Sequence, residues 1–260
     1  MENLKSIVVL IDADNTRLSK IEDVIREVST HGRIVVKRAY GNWKKDALKN
    51  WEEVLKRLAI KAEQQFDYVT GKNATDMALV IDAMNLLHMN LYDAFVIVAS
   101  DSDYTPLAIS LHESGIYVMG VGEKKTPESF RNSCDEFVFL ENIVEDEKEL
   151  TADQQSTQNG KTKNSDAQNE EKSESIGAIH NLLRLASDKY QDDEGYVNVS
   201  AAGHFIKRAK PDFDVRTFGY VKLPDLINAF PERYEMKRYS GKGGVIIVAY
   251  KCKKSSKRVR

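Results

Sequence analysis

The chain has 260 residues, 42% hydrophobic and 30% charged, with a formal net charge of −2 at pH 7. No apolar run nears the roughly 18 residues needed to span a bilayer. Two isolated cysteines, Cys134 and Cys252, make neither a disulfide framework nor a zinc site. The apolar stretch at the N-terminus is too short for an export signal, so a cytoplasmic protein without a membrane partner is expected. The small net charge hides an asymmetry: residues 1–145 carry 17 basic against 23 acidic side chains, residues 176–260 carry 17 against 9. An acidic front suits cations and a basic rear suits a polyanion.

In chain order, "SIVVLI" (6–11), "RIVVKRAY" (33–40), "FDYVT" (66–70), "AFVIVA" (94–99) and "IYVMGV" (116–121) are short, β-branched and bounded by turn residues, which predicts strands. Between them, "KKDALKNWEEVLKRLAI" (44–60) and "TDMALVIDAMNLL" (75–87) predict helices. In the second, Met77, Val80, Ile81, Met84 and Leu87 recur at helical spacing and Thr75 stands at the N-cap position. This alternation predicts an α/β domain over residues 1–144, a mostly parallel sheet flanked by helices. Residues 145–174 contain almost no large apolar side chain and predict an acidic, polar and flexible linker. Residues 175–251 predict a small α+β domain of winged-helix type. Its helices fall at 175–190, 200–209 and 223–230, and a hairpin of 234–239 and 245–251 closes on the turn "SGKGG". Residues 252–260 form a basic tail.

In open α/β sheets functional groups gather at the carboxyl ends of the strands. Asp12 and Asp14 follow the first strand, Asp101 and Asp103 follow "AFVIVA", and Asp76 opens the helix after the third strand. Carboxylates converging on one pocket repel unless cations intervene, and hard oxygen ligands suit Mg²⁺ or Mn²⁺. Metal-assisted phosphodiester cleavage is the chemistry natural to such a pocket. Asn15 would position water or phosphate, and Lys72 would neutralise a substrate phosphate. Each acid taken singly also reads as a turn or helix-cap residue. "DADNT" (12–16) further fits the D-x-D-x-T signature of haloacid-dehalogenase-like phosphatases, a scheme that leaves Asp76 without a role.

The segments "VVLIDADN", "KNATDMALVIDAM" and "AFVIVASDSDYTPL" together resemble the NYN domain, a branch of the PIN-like nuclease superfamily, over about residues 5–142. The resemblance implies a Rossmann-like sheet and metal-dependent ribonuclease action. It places Asp12 with Asn15, Lys72 with Asp76, and Asp101 with Asp103 in the site, with Asp12, Asp76, Asp101 and Asp103 on the metal. Asn73 stands where the family usually has glycine, and Ala99-Ser100 stand where it has Ser-Gly.

In the rear domain Lys207, Arg208 and Lys210 cluster at the end of one helix, and Lys237, Arg238, Lys242 and Lys251 flank the hairpin. This excess of positive charge predicts phosphate contacts, with Tyr220, Tyr239 and the "SGKGG" turn as the expected exposed contacts. Most of the interleaved aromatics are expected in the core. "FDVRTFGYVKLPDL" (213–226) and "GYVNVS" (195–200) resemble the OST-HTH/LOTUS winged helix, with Gly219, Tyr220, Lys222 and Leu223 on its G-[FY]-x-K-L run. That resemblance implies RNA, single-stranded or structured, as partner, and a protein partner in some animal members. The expectation is a Mg²⁺- or Mn²⁺-dependent ribonuclease with a tethered RNA-binding domain. An inactive RNA-binding adapter is the alternative, followed by the phosphatase.

Overall fold

The computed structural model describes residues 4–66, 73–143, 166–240, 244 and 246–253, with backbone only over 166–175. The chain divides into two compact units, Met1–Lys148 and Glu149–Arg260.

In the first unit, strand β1 (Leu4–Asp12) lies between β2 (Gly32–Gly41) and β4 (Ala94–Val98). Val8, Val9, Leu10 and Ile11 are all fully buried, as expected of a continuous apolar run at the centre of a parallel sheet. With β3 (Lys61–Gln64), β5 (Tyr117–Gly122) and β6 (Glu136–Phe139), six parallel strands form the order β3-β2-β1-β4-β5-β6. On one face Ile7, Val9 and Ile11 pack with Ile21, Val24 and Val28 of α1 (Ile21–Ser29) and with Trp51 of α2 (Trp51–Arg57). On the other, Val8 and Leu10 pack with Leu79 and Leu86 of α3 (Ala74–His88) and Leu107 and Leu111 of α4 (Thr105–Glu113). Phe130 of α5 (Glu128–Asn132) completes that second layer. The strand order reverses between β1 and β4, which opens a crevice at their carboxyl ends.

Several elements differ from expectation, each for a physical reason. The helix over 44–60 is interrupted: a 3-10 turn at Asp46–Leu48 precedes α2, and Ala59 at φ 50° turns the chain into β3. The third strand of the sheet lies at Lys61–Gln64; of the stretch expected as a strand, 66–70, only Phe66 is described, and it lies past β3. "KAEQ" is an edge strand with one unpaired side, so burial imposes little alternation on it. On α3 the buried positions are Thr75, Leu79, Ala83 and Leu86. Val80, Met84 and Leu87 pack at the margin, while Met77 and Ile81 are 57% and 56% exposed. The helix is apolar nearly all round, so spacing alone cannot choose its buried stripe. Asn73, not Thr75, occupies its N-cap.

The second unit contains α6 (Asp166–Tyr190), β7 (Val197–Asn198), α7 (Val199–Ala209) and α8 (Leu223–Asn228). Strands β8 (Tyr234–Ser240) and β9 (Ile246–Cys252) complete an antiparallel sheet of order β7-β9-β8. Helix α6 starts at Asp166, inside the segment read as linker, where Ala167, Gln168, Glu170, Glu171 and Lys172 are all strong helix formers. Ile179, Leu183 and Ala186 of α6 meet Ala202, Ile206, Leu226 and Tyr250 in the core. Gly219 takes φ +84° to end the 3-10 turn Val215–Phe218, a left-handed conformation that explains glycine in the "GYVKL" run. Among the described residues no helix is long and apolar enough to cross a membrane.

Candidate active site

Asp12 is the last residue of β1 and is fully buried, on the side of the sheet that Val8 and Leu10 share with α3 and α4. The turn that follows folds back on it: Asn15 donates from its backbone N to Oδ1 at 3.3 Å and from Nδ2 to Oδ2 at 3.0 Å. Asp76 lies in the first turn of α3 and accepts a 2.6 Å hydrogen bond from the phenol of Tyr104. Tyr104, also fully buried, precedes α4 and lies within hydrogen-bonding reach of Asp12 as well. Burial pushes the Asp12 carboxyl up to about 6, and the charge of Asp76 adds to the rise against the hydrogen bonds from Asn15 and Tyr104. Burial also raises Asp76, opposed by the Tyr104 hydrogen bond and reinforced by the charges of Asp101, Asp103 and Asp14.

Asp101 and Asp103 stand on the 3-10 turn after β4, where Asp101 Oδ1 caps the turn by accepting from the backbone N of Asp103 at 3.1 Å. Both carboxylates are exposed. Asp103 Oδ2 accepts from Asn73 Nδ2 at 2.5 Å, so Asn73 ties the start of α3 to the β4 loop. Four of the expected acids thus lie together at the crevice, with Asn15 beside Asp12. Lys72 lies outside the described residues.

Asp14, which the sequence offers both as one of the converging acids and as a turn residue, belongs to the same edge. It accepts from Thr75 Oγ1 at 2.8 Å and from Lys45 Nζ at 3.2 Å. Tyr104 was missed, although it stands in "SDSDY", and Thr75, expected only as an N-cap, directly precedes Asp76. A further acid escaped notice on the far flank: Glu123, after β5, binds Arg17 at 2.8 Å and Lys125 at 2.8 Å, and its backbone N donates to Ser100 Oγ. The acid centre is therefore rimmed by Lys45 on one side and by Arg17 and Lys125 on the other.

The donor set suits a hard divalent cation, since it is all carboxylate and its members hold one another's charge in check. Among the described residues no three acidic, histidine or cysteine side chains already stand in a ligating arrangement. Neutral donors hold the acids where a cation would otherwise compete.

In the second unit, Lys207 and Arg208 sit in the last turn of α7, and Arg208 Nε donates to His204 O. Lys210 is paired with Asp212 at 3.0 Å, and Lys237 with Glu194 at 2.6 Å. Lys222 and Arg238 are exposed, and Lys242 lies outside the described residues with most of its turn. Tyr220, expected as an exposed contact, packs against the core, because the left-handed Gly219 turns it inward and leaves Val221 79% exposed. Tyr239 is exposed as expected. Tyr196 was missed; the ammonium groups of Lys237 and Lys251 lie 5.1 and 5.5 Å from its ring centre.

The NYN domain family matches residues 6–141 and the OST-HTH/LOTUS domain family matches residues 170–246. No curated protein matches the chain. Among solved structures, the chain is similar to a protein of unknown function from Vibrio parahaemolyticus RIMD 2210633, at 15% identity and a TM-score of 0.45, covering 54% of this chain and 94% of that one. It is also similar to an uncharacterized protein of Nitrosomonas europaea, at 21% identity and a TM-score of 0.29, covering 44% and 97%. Both family matches follow the order of the two compact units. The chain belongs to the NYN domain family, within the PIN-like nuclease superfamily, and carries an OST-HTH/LOTUS domain behind its NYN domain.

Proposed function

We propose that the protein is a divalent-metal-dependent ribonuclease whose OST-HTH/LOTUS domain, over 175–251, holds RNA near an NYN active site over 1–144. The observation that carries this reading is the gathering of Asp12, Asp76, Asp101, Asp103 and Asp14 at the reversal point of the sheet, where Tyr104 donates to Asp76, the backbone N of Asp103 to Asp101, Asn73 to Asp103 and Thr75 to Asp14. So many acids in one crevice have little structural use, and a buried carboxyl held up to about 6 is characteristic of a functional site. Asp12, Asp76, Asp101 and Asp103 would hold Mg²⁺ or Mn²⁺. Such a cation supplies a water of lowered pKa and polarises the phosphoryl oxygen.

The chain's own groups do the rest. Asn15 fixes both oxygens of Asp12, and Tyr104 holds Asp76 against Asp12. Lys45 and Arg17, with Lys72, meet the substrate's phosphates on either side. RNA retained by the second domain raises the local substrate concentration at the first. The phosphatase reading gives Asp76 no task, whereas Tyr104 joins it directly to the fully buried Asp12.

The test is incubation of the full chain with single-stranded and structured RNA in Mg²⁺, Mn²⁺ or EDTA, beside Asp12→Asn and Asp101→Asn. Metal-dependent cleavage lost in both variants supports the proposal. RNA binding with no cleavage under any metal overturns it in favour of an adapter.

A further inference from the structure

We infer that Phe66, with Lys44 over its ring, is a stacking platform for an unpaired nucleobase of the RNA strand entering the acidic site. The inference rests on the ribonuclease reading above.

Phe66 follows the edge strand β3 and is 50% exposed, outside both apolar clusters of its unit. An exposed phenylalanine at a strand end is ordinary when the chain there is loose. Here it is fixed. Gln65 N donates to Gly41 O at 3.0 Å, and Trp43 Nε1 donates to Glu63 O at 3.1 Å. Gln64 accepts from Trp43 N at 3.2 Å and donates to Asn42 Oδ1 at 3.1 Å. Four hydrogen bonds therefore lock the ends of β2 and β3 and present the ring that follows them.

The ring already attracts a cation: Lys44 Nζ stands 5.1 Å from its centre. That arrangement matches what a single strand needs, a π-face for a base and an ammonium for the adjoining phosphate. The location fits as well. Tyr40 pairs with Asp12 and Gly41 with Gln64, so the end of β3 lies on the same carboxyl edge as the acids. Two strand spacings, roughly 10 Å, separate them, within the length of a short oligonucleotide.

Beside the platform is a polar cleft of about 290 Å³, lined in part by Tyr40, Lys61, Gln64 and Gln65. Arg38, also in its wall, is neutralised by Asp82, with Nη1 2.6 Å from both carboxylate oxygens. The cleft therefore offers polar edges and little free charge, which suits a base better than a phosphate. A base inside a duplex has no free face, so the platform selects unpaired RNA.

The test uses the full chain carrying Asp12→Asn, to prevent cleavage, and a single-stranded RNA of about six nucleotides containing 2-aminopurine, in Mg²⁺. Binding is expected to quench the 2-aminopurine fluorescence. Adding Phe66→Ala is expected to abolish the quench and weaken binding about 5- to 100-fold. Phe66→Tyr is expected to retain both, and Lys44→Gln to weaken binding while leaving the quench. An unchanged quench and affinity in Phe66→Ala overturns the inference, even if the wild-type chain cleaves RNA. A Phe66-dependent quench in a protein that cleaves no RNA upholds the platform and overturns the ribonuclease reading instead.

Discussion

The phenol of Tyr104 and the carboxylate of Asp76 are joined at 2.6 Å across the base of the crevice, between the residue that precedes α4 and the first turn of α3. The phenol also faces Asp12, so one hydroxyl stands between two acids of the site. Removing only that oxygen tests its role. Tyr104→Phe keeps the ring in its place beside Phe130 and leaves the acids with one donor fewer. Groups that orient metal ligands typically contribute about 10–100-fold to affinity or activity. The variant is expected to lose that much in metal titrations and RNA cleavage, with an unchanged circular dichroism spectrum.

Asp12 gives a pH prediction for the metal-free protein. Its carboxyl titrates near 6 when folded, against an unperturbed value of 3.8. Between those values the native state binds the extra proton, so stability falls as pH rises from about 4 to about 6 and then levels. Asp12→Asn removes the buried charge and is expected to stabilise the chain in EDTA above pH 6 by about 1–3 kcal/mol. Thermal melts of both proteins at pH 4 and pH 7.5 check this. An equal difference at both pH values would count against it.

Asp82 separates a structural acid from the catalytic candidates on the same helix. It receives both the Arg38 guanidinium and the Tyr40 hydroxyl, linking α3 to β2. The pair is mostly shielded, with side chains 22% and 23% exposed. Asp82→Asn leaves Arg38 short of its counter-charge and is expected to cost about 1–3 kcal/mol. In urea the midpoint should fall with the slope unchanged.

Gly122 lets the end of β5 approach the β4 loop. A Cβ there would lie 2.5 Å from the carbonyl oxygen of Ala99 and 2.7 Å from Thr126 Oγ1. The first of these is backbone and cannot rotate aside. Gly122→Ala is expected to destabilise the fold by about 1–3 kcal/mol, seen as a lower Tm. It should also reduce cleavage by the molecules still folded, because Ala99 leads directly to Asp101.

The acids were legible because each follows or faces the end of an apolar run, and β1 and β4 carry unmistakable β-branched letters. Their supports were not. Tyr104 reads as one polar letter of "SDSDY", and nothing local shows that its ring is buried between two helices and the sheet. Asp14 looks like a turn residue because its partners, Lys45 and Thr75, are 31 and 61 positions away. β3 escaped because an edge strand of Lys, Ala, Glu and Gln has no apolar face to announce it. On α3 two apolar stripes competed, and the choice between them belongs to the sheet.

Every acid of the crevice already has a donor that is not a metal: Asn15 for Asp12, Tyr104 for Asp76, the backbone N of Asp103 for Asp101, Asn73 for Asp103, and Thr75 with Lys45 for Asp14. Under the ribonuclease reading, cation uptake would be an exchange of ligands rather than the filling of a hole. In a zinc finger the ion and the fold arrive together; here side-chain and backbone donors of the chain itself hold the acids. Occupancy becomes a reading of the surrounding ion concentration, and a chelator should silence the protein without unfolding it.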